Sequence, residues 1–189
     1  MQYTVIKSQR KTIALEIKDG EILVRAPLRA KKRDIEQFVA KNEAWLLRQL
    51  ARQEALAQKT ADIRPLSEEE LAALKERAGS VFPERVAFYA PQIAVNPQRI
   101  TIRAQKTKWG SCSSKNNLNF NCLLLLAPPE VLDSVVVHEL CHLKHMDHSA
   151  RFYEEVLRIC PGYHRCERWL KEHGAELLAR LPASARKKE

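Results

Sequence analysis

The stretch VVVHELCHLKHMDH, residues 135–148, constrains this chain more than any other part of it. Four of the six histidines in the sequence lie there, with a glutamate directly after the first. On a helix, residues four apart stack one turn above each other on the same face. His138 and His142 therefore aim two imidazoles at a common place, about 6 Å apart along the axis. One ion can bridge them with bonds of about 2.1 Å. Glu139 falls on the adjacent face, where it reaches a water on that ion without being a ligand. Val131, Leu132, Val135 and Val136 give the helix an apolar face.

Helical spacing does not fix the third ligand. His145 lies on nearly the same face as His142, but about 10 Å along the axis from His138, too far for one tetrahedral ion. If the helix ends near His145 and the chain turns back, His148 closes the site, with Ser149 placed to cap the next helix. His148 is the favoured third ligand on this ground, and Glu154, Glu155 and His145 are the alternatives. Three protein ligands leave one position open to water, as in catalytic rather than structural zinc sites. Zinc would lower the pKa of that water, and Glu139 would take its proton and later deliver it to a leaving group. Among the residues that follow, Arg151, Tyr153, Tyr163 and His164 are candidates to stabilise developing negative charge.

The remaining pattern predicts an α+β chain. Residues 3–8, 12–17 and 21–27 read as strands, the last two joined at Asp19-Gly20, a good hairpin turn. Ile35, Phe38, Val39, Trp45, Leu46 and Leu50 recur at helical spacing, predicting one long helix over 31–58 with Trp45 as a core anchor. Ser67 and Glu70 form a capping-box pattern ahead of a second helical region, in which Pro83 predicts a kink or break. Strands are expected at 99–105 and 117–126, the latter stopped by Pro128-Pro129, with a helix from about 130. The final ASARKKE reads as a frayed tail.

Five cysteines without a CxxC pair are expected to be reduced thiols. No apolar run approaches the roughly 20 residues of a membrane span, and the N-terminus lacks a secretory signal pattern, so the cytoplasm is the expected location. The net charge of +9 is uneven: residues 1–65 hold 14 Lys/Arg against 8 Asp/Glu, whereas residues 129–189 hold 10 of each. A basic N-terminal part could attract nucleic acid or phosphorylated substrates, or serve only as a solvated surface. In KTKWGSCSSKN, Trp109 is expected to pack under the histidine helix with Cys112 buried nearby. A sharper possibility is a rim for a phosphate made by Lys106, Lys108 and Lys115 with Trp109.

The segment RAQKTKWGSCSSKNNLNFNCLLLLAPPEVLDSVVVHELCHLKHMDHSARFY, residues 103–153, resembles the YgjP-like family of zinc metallopeptidases, itself similar to the SprT-like and WLM zincins. Trp109-Gly110-Ser111-Cys112, the HExxH pentad 138–142 and His148-Ser149 with Phe152 carry the resemblance, and the layout of the preceding strands and helices extends it over most of the chain. It implies a single zincin-like α+β metallohydrolase domain over 1–189. Basic strands and a helix would occupy 1–65, a small antiparallel sheet would follow, and a metal-site core with a helical C-terminal part would occupy 99–180. It further implies one zinc ion per chain on His138, His142 and His148, and Glu139 as the catalytic carboxylate. The segment around 117–125 would align an extended peptide by strand addition. The implied activity is peptide hydrolysis. Alternatives are nucleoside triphosphate (UTP) pyrophosphatase activity, assigned to similar proteins, and a DNA-associated role like that of SprT-like relatives. The expected partners are a peptide or nucleotide substrate, with nucleic acid possible through the basic part and no membrane.

Overall fold

The computed structural model describes residues 1–18 and 20–186. Asp19 of the expected turn and Lys187–Glu189 of the tail lie outside the described residues. The chain forms two compact units, Met1–Ala61 and Asp62–Glu189. No helix among the described residues is long and apolar enough to cross a membrane.

In the first unit, β1 (Thr4–Ser8), β2 (Ala14–Lys18) and β3 (Glu21–Pro27) make a sheet of order β1-β3-β2. β1 runs parallel to β3 and β2 antiparallel to it. Gly20 takes φ +81° in the turn before β3, a conformation that glycine adopts without steric cost. Alternation along β3 buries Ile22, Val24 and Ala26, which meet Ile35, Val39 and Leu46 in a small core.

The predicted single helix is two: α1 (Lys32–Lys41) and α2 (Glu43–Thr60). Asn42 between them leaves the helical region at φ −106°, and its side chain donates to the Phe38 carbonyl at 2.7 Å. An asparagine side chain offers the backbone such an alternative partner, and this one ends the helix. The break resets the helical phase. Leu46 turns fully inward and Trp45 is left 40% exposed, so Trp45 is not a core anchor.

The second unit opens with α3 (Glu68–Ile93), capped as the sequence predicts: Ser67 Oγ accepts from the Glu70 N–H, and the Glu70 carboxylate accepts from the Ser67 N–H. The helix continues through Pro83 instead of breaking. Phe82, one residue earlier, is fully buried and stacks on Phe120 at 4.8 Å, so core packing outweighs the lost backbone donor. A second sheet follows, of β4 (Arg99–Arg103), β5 (Gly110–Cys112) and β6 (Asn117–Asn121), in the order β4-β6-β5. β6 pairs in parallel with β4 and antiparallel with β5, so this sheet, like the first, is mixed rather than antiparallel.

The predicted strand 117–126 ends at Asn121. Residues Cys122–Leu126 form a 3-10 turn started by the Asn121 side chain, which accepts from the Leu123 N–H at 3.2 Å. Then come α4 (Pro129–Cys141), α5 (Ala150–Ile159), α6 (Tyr163–Ala179) and α7 (Ala183–Arg186). The start of the expected frayed tail is thus helical, and Ser184 hydrogen-bonds Glu68 at the start of α3. α4 is buried nearly all round, and Arg85 of α3 holds it through a two-pronged bond to Asp133, Nε to Oδ1 being 2.6 Å. The described cysteines are all free thiols.

Candidate metal centre

α4 brings His138, Glu139 and His142 to its C-terminal turn, and the chain then leaves the helix. Hydrogen-bonded turns run on to His145, whose N–H donates to the Cys141 carbonyl at 3.0 Å. The backbone turns back, and Ser149 stands at the N-cap position of α5 without a side-chain cap bond, its hydroxyl engaged instead with Asp147. The reversal brings His148 to the other two histidines. His138 Nε2 lies 3.1 Å from His142 Nε2 and 3.3 Å from His148 Nε2. Tetrahedral bonds of about 2.1 Å place neighbouring ligand atoms about 3.4 Å apart, which the two edges from His138 match. All three ligand atoms lie within 4.8 Å of one another, close enough to share one ion. Among the described residues, these three histidines form the group with that geometry.

The ring orientations fit as well. His142 Nδ1 faces the His145 carbonyl at 3.0 Å, and a carbonyl only accepts, so Nδ1 carries the proton and Nε2 presents a lone pair. His145 therefore takes part through its backbone, while its imidazole stands outside the cluster. His138 Nδ1 meets the Tyr163 hydroxyl at 2.8 Å, an orienting bond of the kind that fixes a ligating imidazole. Phe152 of α5 is fully buried, its ring centroid 4.5–5.0 Å from those of all three imidazoles, and forms their apolar floor. Burial first, then His142 and His148, lowers the His138 pKa to about 4, and burial likewise lowers that of His142. Both rings are kept neutral, as ligation requires.

Glu139 is buried on the next face of α4. Desolvation raises its pKa to about 8, opposed by the charge of Lys108. Its space exists because residue 110 is a glycine. A Cβ there would lie 2.6 Å from the Glu139 side chain, far inside van der Waals contact. Gly110 belongs to β5, an edge of the second sheet. Backbone bonds from Asn121 to Trp109 and from Ser113 to Asn117 set the antiparallel phase. In that phase, the N–H and C=O groups of Gly110 and Cys112 point away from β6. The edge beside Glu139 is therefore open. β6 itself is paired on both sides, which excludes 117–125 from the strand-adding role implied by the resemblance.

A cavity of about 330 Å³ adjoins Glu139 and His138. Lys108, Trp109 and Gly110 form one wall, Ser134 and Val135 of α4 another, and Tyr163, Glu167, Leu170 and Lys171 of α6 the third. Trp109 packs against the main core, to which α4 contributes, and rests on Gly174 of α6. Of the expected cationic rim, Lys108 reaches the cavity and Lys106 and Lys115 do not. Asn121 clamps this loop, its amide donating to the carbonyls of Gln105 (2.8 Å) and Lys108 (3.0 Å).

Of the candidates for stabilising charge, Tyr163 is at the site. Tyr153 stands behind it, its ring centroid 6.2 Å from that of His148, and Arg151 is exposed. His164 faces Glu167 at 3.8 Å. The other α6 residues on the cavity wall, Glu167, Leu170 and Lys171, escaped sequence reasoning because they lie far along the chain from the pentad and no motif marks them. Gly110 was marked by its place in WGSC.

An α+β unit with three converging imidazoles and a buried glutamate beside an open strand edge has the layout of a metal-dependent hydrolase. The chain belongs to the YgjP-like metallopeptidase-domain family, whose model matches residues 11–74 and 70–173. It is 32% identical over 62 residues to the UTP pyrophosphatase of Escherichia coli (strain K12), a match covering 33% of this chain and 37% of that protein. Two metallopeptidase zymogens are similar in structure. Abylysin of Pyrococcus abyssi is 20% identical with a TM-score of 0.44, covering 48% of this chain and 93% of its own. Jannalysin of Methanocaldococcus jannaschii is 22% identical with a TM-score of 0.43, covering 48% and 94%.

Proposed function

We propose that the chain is a zinc-dependent metallopeptidase in which His138, His142 and His148 hold one zinc ion and Glu139 is the general base. The triangle of Nε2 atoms, with His142 held in the tautomer that offers Nε2, carries this reading. Zinc bound there would supply a Lewis acid that acidifies a water and polarises the bond under attack. Burial holds the Glu139 pKa at about 8. In its ionised form, which the positive charge of a bound zinc would favour, Glu139, confined by Gly110, would take the proton of the attacking water and pass it to the departing group. Tyr163 holds the His138 ring in place. The outward N–H and C=O groups of Gly110 and Cys112 would align an extended chain next to Glu139, which favours a peptide substrate.

One observation favours a second reading, hydrolysis of a nucleoside triphosphate. Lys108 and Lys171 both line the cavity, where they would meet phosphates, and the Escherichia coli relative bears the name UTP pyrophosphatase. Lys171 is paired with Glu167 at 3.1 Å, however, which leaves Lys108 as the stronger attraction for an anion.

The experiment is turnover of unfolded protein and of a nucleoside triphosphate panel by the zinc-loaded chain, with Glu139→Gln as the paired control. The variant should retain its zinc and lose about 10²–10⁴-fold in turnover. Peptide cleavage abolished in the variant supports the peptidase reading. Phosphate or pyrophosphate release abolished in it selects the second, and turnover unchanged in the variant overturns both.

A further inference from the structure

The first unit holds 13 Lys/Arg against seven Asp/Glu, and the fold gathers much of that excess at one end. Ser8 at the end of β1 pairs with Pro27 at the end of β3, and the Leu28 N–H donates to the Ser8 carbonyl at 3.2 Å. The connection after β1 therefore lies beside the connection from β3 to α1. The first side brings Lys7, Arg10 and Lys11, and the second brings Arg29, Lys31, Lys32 and Arg33. All but Arg10 are exposed. Lys7 Nζ reaches across to the Ala30 carbonyl at 2.9 Å, which ties the two groups together. Asp34 and Glu36 are the nearest acids in sequence, and Glu36 is already paired with Lys32 at 3.7 Å.

Two further features suit this end to anions. α1 begins there with Lys31 as N-cap and no side-chain cap bond. Asp34 and Ile35 provide the first N–H groups returning to the Lys31 carbonyl, so those of Lys32 and Arg33 have no partner within the helix. In addition, Arg10 Nε is buried without a hydrogen-bond partner among the described residues.

We propose that this end of the first unit binds the phosphate backbone of a nucleic acid. Cations on two adjacent connections, together with free amides at a helix start, match phosphates repeating along a strand. An anionic membrane surface is a poorer match. A helix lying on lipid inserts its own apolar face, and α1 buries Ile35 and Val39 in the core of the unit. The surface is independent of the zinc reading, because none of these residues belongs to the second unit.

The test is fluorescence anisotropy of a labelled 20-nucleotide single strand and its duplex, titrated with the full chain at 50 and 200 mM salt. Binding should weaken steeply with salt. Replacing Lys31, Lys32 and Arg33 together by Ala should reduce affinity at least 10-fold at low salt and lower the single-strand salt slope by about 2. Lys7→Ala with Lys11→Ala, on the other connection, should act in the same direction. A matched loss of three charges elsewhere in the unit, at Lys41, Arg48 and Arg52, should leave most of the affinity, and Glu139→Gln should leave all of it. Equal losses from both triple variants would overturn the proposal, since net charge alone would explain binding. So would absence of binding at 50 mM salt, or binding to phosphatidylserine vesicles without binding to the oligonucleotides.

Discussion

Tyr163, Gly110 and Glu139 each make a contact that a single substitution isolates. The hydroxyl of Tyr163 orients His138, and losing such an outer bond typically costs 10–100-fold in metal affinity. Tyr163→Phe should therefore weaken zinc binding by about that factor in a chelator competition, while melting of the metal-free protein shifts little. Gly110→Ala acts on the other partner of the site. The added methyl meets Glu139 at 2.6 Å, so the carboxylate must move. Overpacking of this kind costs about 1–3 kcal/mol. The variant should keep its zinc and lose turnover, as Glu139→Gln does, but with a lower denaturation midpoint.

At the scale of elements, the loop bearing His148 is tied down by a carboxylate. Glu155 of α5 accepts from Lys144 at 2.8 Å and from Arg158 at 3.1 Å, and Arg158 also donates to the Gln92 carbonyl at the end of α3. Hydrogen bonds from Arg158 and Lys144 pull the Glu155 pKa from its usual 4.5 down to about 2. A lowered carboxylate pKa stabilises the fold above pH 4.5 and ceases to do so as pH falls toward 2. Glu155→Gln should cost about 1 kcal/mol at pH 7, limited by the exposure of both cations, and the gap from the parent should close across that acid window in urea titrations. Elements were legible in the sequence where local chemistry decided them. The Ser67–Glu70 cap, the HExxH helix and the reversal carrying His148 all follow from neighbours within a few residues. The helix break at Asn42 and the strand end at Asn121 were not legible because each turns on which of several partners an asparagine side chain takes. These are the Phe38 carbonyl in one case, and the Leu123 N–H with the Gln105 and Lys108 carbonyls in the other. The absence of a break at Pro83 goes with the distant Phe82–Phe120 stack.

For the whole molecule, the division after Ala61 separates two cores. The second unit contains the three histidines, Glu139, Phe152 and Tyr163 as well as the larger apolar core. Residues 62–189 expressed alone should unfold cooperatively and bind zinc with the affinity of the full chain, as measured by calorimetry. The open edge of β5 carries a different consequence. Two outward-facing residues contribute only backbone groups to whatever lies beside them, and backbone groups are the same in every sequence. In the proposed peptidase, a site addressed this way would discriminate by conformation more than by composition: segments already hydrogen-bonded in a helix or sheet would be refused, and a slack, unpaired segment would be admitted. Such an enzyme would spare native proteins and process those that have lost their structure.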